Sequence, residues 1–227
     1  MYFTVAFLKR TYVLGLLFSL LLIVCDLIAF FIVPDTFFSK IFIATKEQTP
    51  LTWLSSVTFL FLALAALATE QATRKIFWGL LALIFFFFSI DDAVYLHERI
   101  AGYFRDHIVL LQDFPSYIWT VLYMPLLLFS LGTLLLLLWR KADPVLRFSV
   151  MGVFVLLAFA ALLDFTDGLV QRDSDLVLCA TKECHRVMLH LMRLVEEAFE
   201  VWAIGGLGYL VLFEYCLLDV QKKESTP

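Results

Sequence analysis

The chain has 227 residues and a formal net charge of −4 at pH 7, from 17 Lys plus Arg against 21 Asp plus Glu. Hydrophobic residues make up 62% of it, with 24 Phe among them, and mean hydropathy is +0.91. A water-soluble domain of this size cannot bury so large an apolar fraction, and so small a net charge gives no footing for nucleic acid. An all-α, polytopic integral membrane protein is expected, a single transmembrane domain over residues 1–227.

About 20 apolar residues are needed to cross ~30 Å of hydrocarbon, and backbone groups in lipid must find partners within their own helix. Six segments qualify, at about 11–33, 51–69, 76–98, 117–139, 148–170 and 188–212. The first follows Lys9 and Arg10, lacks a small-residue cleavage site, and reads as a retained helix. The second and third are split by the polar run "EQATRK". The third ends in "FFFFSIDDAVYLHERI", where Asp91, Asp92, His97, Glu98 and Arg99 follow an apolar run with no proline or glycine to stop the helix. Next comes "AGYFRDHIVLLQDFP", whose alternation suits a short amphipathic helix lying as a lid over the third segment's end. Pro125 is expected to kink the fourth segment. On the fifth, Asp164, Asp167, Gly168 and Gln171 share a face, and Gly168 invites close approach of another helix. The sixth carries His190, Arg193, Glu197 and Glu200 as one stripe with Glu196 at its edge, and "GGLG" weakens it further on.

Orientation follows from Lys and Arg near the helix ends. With the N-terminus inside, the inner ends hold Lys9, Arg10, Arg74, Lys75, Arg140, Lys141, Arg147, Lys222 and Lys223. The outer loops hold Lys40, Lys46, Arg99, Arg105, Arg172, Lys182 and Arg186. The bias favours N-in and C-in, in a plasma or bacterial inner membrane. Cys179 and Cys184 then fall in the last outer loop, where a disulfide persists. Trp53, Trp119 and Trp139 suit an aromatic belt.

This topology places the acids of the third, fifth and sixth helices at one depth, roughly 10–15 Å below the outer surface. They are Asp91, Asp92, Glu98, Asp164, Asp167, Glu196, Glu197 and Glu200, facing Arg99 and Arg193. On helical angles His97 points about a third of a turn away from the stripe of Asp91, Tyr95 and Glu98. Each ionised group in the bilayer costs on the order of 3 kcal/mol, so the acids must share protons, metal ions or a cationic substrate.

Carboxylates with His on several bundle helices are a ligand set for a divalent metal such as Zn, Fe or Mn. The expected ligands are Asp91, Glu98, Asp164, His190, Glu197 and Glu200, although Glu-x-x-Glu at 197 and 200 stands where a Glu-x-x-His would be. If the site is catalytic, Glu98 or Glu197 is the general base and Arg193 stabilises developing negative charge. The chemistry is then hydrolysis or oxidoreduction on a lipid-like substrate. Two alternatives stand beside it. One is a proton- or cation-coupled transporter, with Asp26 and Glu214 continuing a path. The other is a membrane assembly or partner subunit, oligomeric or bound to another protein, whose buried ion pairs only fix packing. In every case the lipid bilayer is the first partner.

Overall fold

A computed structural model describes residues 5–34, 36–43, 49–139, 144–172 and 181–224. Among these residues every regular element is a helix: α1 Val5–Phe31, α2 Phe37–Phe42, α3 Pro50–Thr73, α4 Ile76–Val94, α5 Leu96–His107, α6 Val109–Gln112, α7 Ile118–Trp139, α8 Pro144–Arg172 and α9 Lys182–Glu224. Six of them are long and apolar enough to cross a membrane: α1, α3, α4, α7, α8 and α9. This matches the six segments expected, with several boundaries shifted. α3 runs on through Glu70 to Thr73, so only Arg74 and Lys75 connect it to α4. α9 is 43 residues long and passes unbroken through Gly205, Gly206 and Gly208.

The ends of these helices are set by ordinary capping chemistry. Thr49 N-caps α3, accepting from the Thr52 amide, and Pro50 occupies the first turn, where a missing N–H costs nothing. Arg74 stops α3 in the left-handed region, its amide donating to the Glu70 carbonyl. α4 ends unexpectedly. The third segment was expected to continue to 98, but Tyr95 adopts φ 54° and ψ 43°, and the chain leaves the α4 axis after Val94. α5 then starts at Leu96 in a new direction.

Small residues let the central helices approach closely. Ala63, Ala65 and Ala66 of α3 are buried beside Leu81, Ala82 and Phe85 of α4 in the main core. A reciprocal pair of hydrogen bonds locks α3 to α4: Ser56 Oγ donates to the Ser89 carbonyl at 2.7 Å, and Ser89 Oγ donates to the Ser56 carbonyl at 2.9 Å. Within a membrane each such bond is worth about 0.6 kcal/mol on average. The "GGLG" segment serves the same end. A Cβ on Gly206 would stand 2.6 Å from Val153 Cγ2, so the glycine is needed for α8 to lie against α9. It marks close packing, not the weak point expected. Trp202 Nε1 donates to Ser19 Oγ at 2.8 Å and ties α1 to α9.

At one end of the bundle α4 and α8 finish while α3, α7 and α9 begin; α5 and α6 lie at this end too. It carries the charged residues singled out above and is called here the acidic end.

Candidate functional site

A cavity of about 580 Å³ opens at the acidic end. All eight acids expected there line it: Asp91, Asp92, Glu98, Asp164, Asp167, Glu196, Glu197 and Glu200. The basic residues of the lining are Arg105, Arg193 and His97. Acids from α4, α5, α8 and α9 therefore meet in one space, as their common depth implied.

Two of the carboxylates are held by designed sets of donors. Asp91 is 5% exposed. Its Oδ2 accepts from His97 Nδ1 at 2.7 Å and its Oδ1 from the Tyr123 hydroxyl at 2.8 Å. Asp167 is 4% exposed. Its Oδ2 accepts from the Tyr117 hydroxyl at 2.6 Å, Gln171 Nε2 at 2.8 Å and Arg193 Nε at 3.0 Å. Arg193 Nη2 reaches the same oxygen at 3.0 Å. Gln171 Nε2 also donates to the Tyr117 hydroxyl. Gly168 makes this cluster possible. A Cβ there would collide with Ser116 Oγ and stand 2.9 Å from the Tyr117 amide nitrogen, so only glycine lets the start of α7 touch α8.

Asp92 Oδ2, Asp164 Oδ2 and Asp167 Oδ1 are buried and lack any hydrogen-bond partner among the described residues. An unpaired buried carboxylate oxygen is costly. Trp119 and Tyr123 also line the cavity. The Trp119 ring lies 5.0 Å from His97 and 6.3 Å, edge-on, from Tyr123.

The turn at Tyr95 corrects the expected place of His97. A continuous helix would aim His97 away from Asp91; the break swings it back, so it becomes the first donor to that carboxylate. Burial pulls the imidazole pKa down, but the hydrogen bond and charge of Asp91, with Glu98 and Asp92 nearby, outweigh burial and raise it above its usual 6.5. His97, Glu98, Ala101, Gly102 and Arg105 recur at helical spacing and line the cavity from one face.

Several expectations fail here. His190 is not in the lining. It is 2% exposed and its Nε2 donates to Asp26 Oδ1 at 2.7 Å, with the Phe30 ring stacked 3.7 Å away. His190 is thus paired with Asp26 of α1. The expected metal centre of Asp91, Glu98, Asp164, His190, Glu197 and Glu200 is not formed. Among the described residues no group of three or more His, Cys, Asp and Glu converges well enough to hold an ion. Arg99 is exposed and lies outside the lining. Trp119 lines the cavity. Cys184 is disulfide-bonded, whereas Cys25 and Cys216 are in no disulfide; Cys179 lies outside the described residues.

Tyr117, Tyr123 and Trp119 carry much of the site yet were not among the residues expected there. Tyr117, Thr120 and Tyr123 recur every third position in "SYIWTVLYMP", a polar stripe at the start of an apolar helix. That stripe is the signal in the sequence that points to them.

No curated protein and no solved structure matches the chain. A family model does match it over residues 12–215, which takes in all six long apolar helices and every acid of the chamber. The chain belongs to the family described as Domain of unknown function (DUF8692).

Proposed function

We propose that this protein is a multi-pass membrane protein, with its acidic end on the extracytoplasmic side, that binds a cationic guest in an acidic chamber within the bilayer. One observation carries this reading. Eight carboxylates share a cavity with two arginines and one histidine, and three buried carboxylate oxygens there have no partner among the described residues. At on the order of 3 kcal/mol for each ionised group inside a bilayer, such a surplus must be offset by shared protons or by a cation, and the oxygens without donors favour a guest that brings its own. Trp119 and Tyr123 favour an organic cation, because their ring faces attract an ammonium as carboxylates do.

The catalytic alternative has less support. Arg193, the group expected to stabilise developing negative charge, already places Nε and Nη2 on Asp167. Glu197 and Glu98, the expected bases, line the chamber and suit attraction of a cation equally well.

The test is equilibrium binding of radiolabelled butylammonium to the protein in lipid nanodiscs, with empty nanodiscs as the blank. Saturable binding is expected, absent for butanol and weakened at least tenfold by Glu197→Gln. Absence of saturable butylammonium binding would overturn the reading. So would an affinity unchanged by both Glu197→Gln and Asp164→Asn.

A further inference from the structure

The chamber is not acidic throughout, and the way its lining divides says what kind of cation fits. On α7 the lining runs from Tyr123, which touches Asp91, to Leu127 and Leu131, one and two turns farther from the acidic end. On α8 it runs from Asp164 to Ala160 and Ala161 and then Leu157. On α4 it passes from Asp91 and Asp92 to Phe88, and on α3 from Thr52 to Phe59. Four helices therefore make the same change from polar to apolar in the same direction. Eight residues separate Tyr123 from Leu131, so the apolar floor extends about 12 Å beyond the acids. Head and floor belong to one cavity of about 580 Å³, within the ~300–1,000 Å³ of pockets that enclose a whole small molecule.

We propose that the guest is an amphiphile, a single-chain lipid with a primary amine head group, whose ammonium lies among the acids and whose alkyl chain fills the floor lined by Phe59, Leu131, Leu157 and Ala161. This rests on the cation-binding reading and narrows it to a substrate class. A primary ammonium offers three N–H donors. The chamber meets such donors with buried carboxylate oxygens that lack partners, Asp164 Oδ2 and Asp167 Oδ1 among them, and Asp167 is only 4% exposed. A small hydrophilic cation would use these oxygens and leave the floor bare. A neutral lipid would fill the floor and leave the oxygens unsatisfied. An amine-headed chain meets both demands.

The experiment compares decylamine with butylamine on the protein in nanodiscs, for the natural sequence and for Ala161→Phe, which fills the floor from α8. Partition of decylamine into lipid is the same for both proteins, so their ratio reports the floor alone. Ala161→Phe is expected to weaken decylamine at least tenfold and butylamine less than twofold. Leu157→Trp, two turns beyond Asp164, is expected to repeat the result, and each variant's melting temperature is measured to show that it folds. The proposal is overturned if decylamine is weakened no more than butylamine in whichever variant folds as the natural protein does. If neither amine binds the natural protein, the cation-binding reading itself fails, an outcome distinct from binding of both amines without a contribution from the floor.

Discussion

Removing the Arg193 guanidinium should expose how the acid surplus is held. In Arg193→Met, Asp167 Oδ2 loses Nε and Nη2, both at 3.0 Å, and keeps only Tyr117 and Gln171. Stranding one member of a buried ion pair costs about 3–5 kcal/mol. The Arg193 side chain is 29% exposed, however, so water already screens part of the attraction. Two neutral donors also remain on the carboxylate. A loss of about 2–3 kcal/mol is therefore expected. Asp167→Asn alone should cost less, because its amide still meets Tyr117 and Gln171 although it strands the arginine. The double variant should recover part of the loss, giving a coupling of about 1–2 kcal/mol in the cycle. Denaturant unfolding in mixed micelles, followed by tryptophan fluorescence, measures all four proteins. If Arg193→Met costs under about 0.5 kcal/mol and the coupling is zero, the guanidinium is not what balances Asp167, and the electrostatic reading of the chamber is wrong.

Two more predictions follow from the same contacts. The His97 imidazole is raised above 6.5 by Asp91, Glu98 and Asp92 against the opposing effect of burial. Its protonation therefore contributes stability that is complete below about pH 6.5 and fades as pH rises through the folded value. Melting temperature should fall across that interval in the natural protein, and His97→Gln should flatten the fall; an unchanged slope in the variant would sink this assignment. Gly168→Val should be destabilised by about 1–3 kcal/mol, since its Cβ meets Ser116 Oγ and the Tyr117 backbone, and relief must open the α7–α8 contact. Circular dichroism melts check it, and a stability equal to that of the natural protein would show that α7 has room to move.

The parts of the fold written in the sequence are those fixed by local chemistry. Length and hydropathy mark the six long helices, because the demand for apolar length acts on each segment alone. The angular stripe on α8 correctly groups Asp164, Asp167, Gly168 and Gln171, since an unbroken helix turns 100° per residue whatever surrounds it. The seven acids on α4, α8 and α9 line the cavity for the same reason, whereas Glu98 joins them through the turn at Tyr95. The failures involve choice among partners. His190 lies on the stripe of Arg193 and Glu197, and nothing local says that Asp26, 164 positions earlier, would take its Nε2. Tyr117 and Tyr123 read as ordinary interfacial aromatics until Asp167 and Asp91 are seen beside their hydroxyls. Pairing across helices depends on packing, and packing is a property of the whole chain.

Tyr95 shows the same limit at a single residue. A left-handed conformation costs a non-glycine residue roughly 1–2 kcal/mol, and the "AVYLHER" stretch holds no glycine or asparagine to advertise a turn. On local propensity alone α4 should continue. Continuing would carry His97 away from Asp91 and leave a carboxylate 5% exposed with Tyr123 as its remaining donor. The turn instead brings the imidazole to 2.7 Å. A hydrogen bond to a charged group contributes about 1.5–3 kcal/mol, enough to offset the backbone strain. The same turn lays α5 across the mouth, where Glu98 and Arg105 join the lining. The acid that breaks the apolar pattern of α4 is thus also what ends the helix, by recruiting a histidine that lies beyond it.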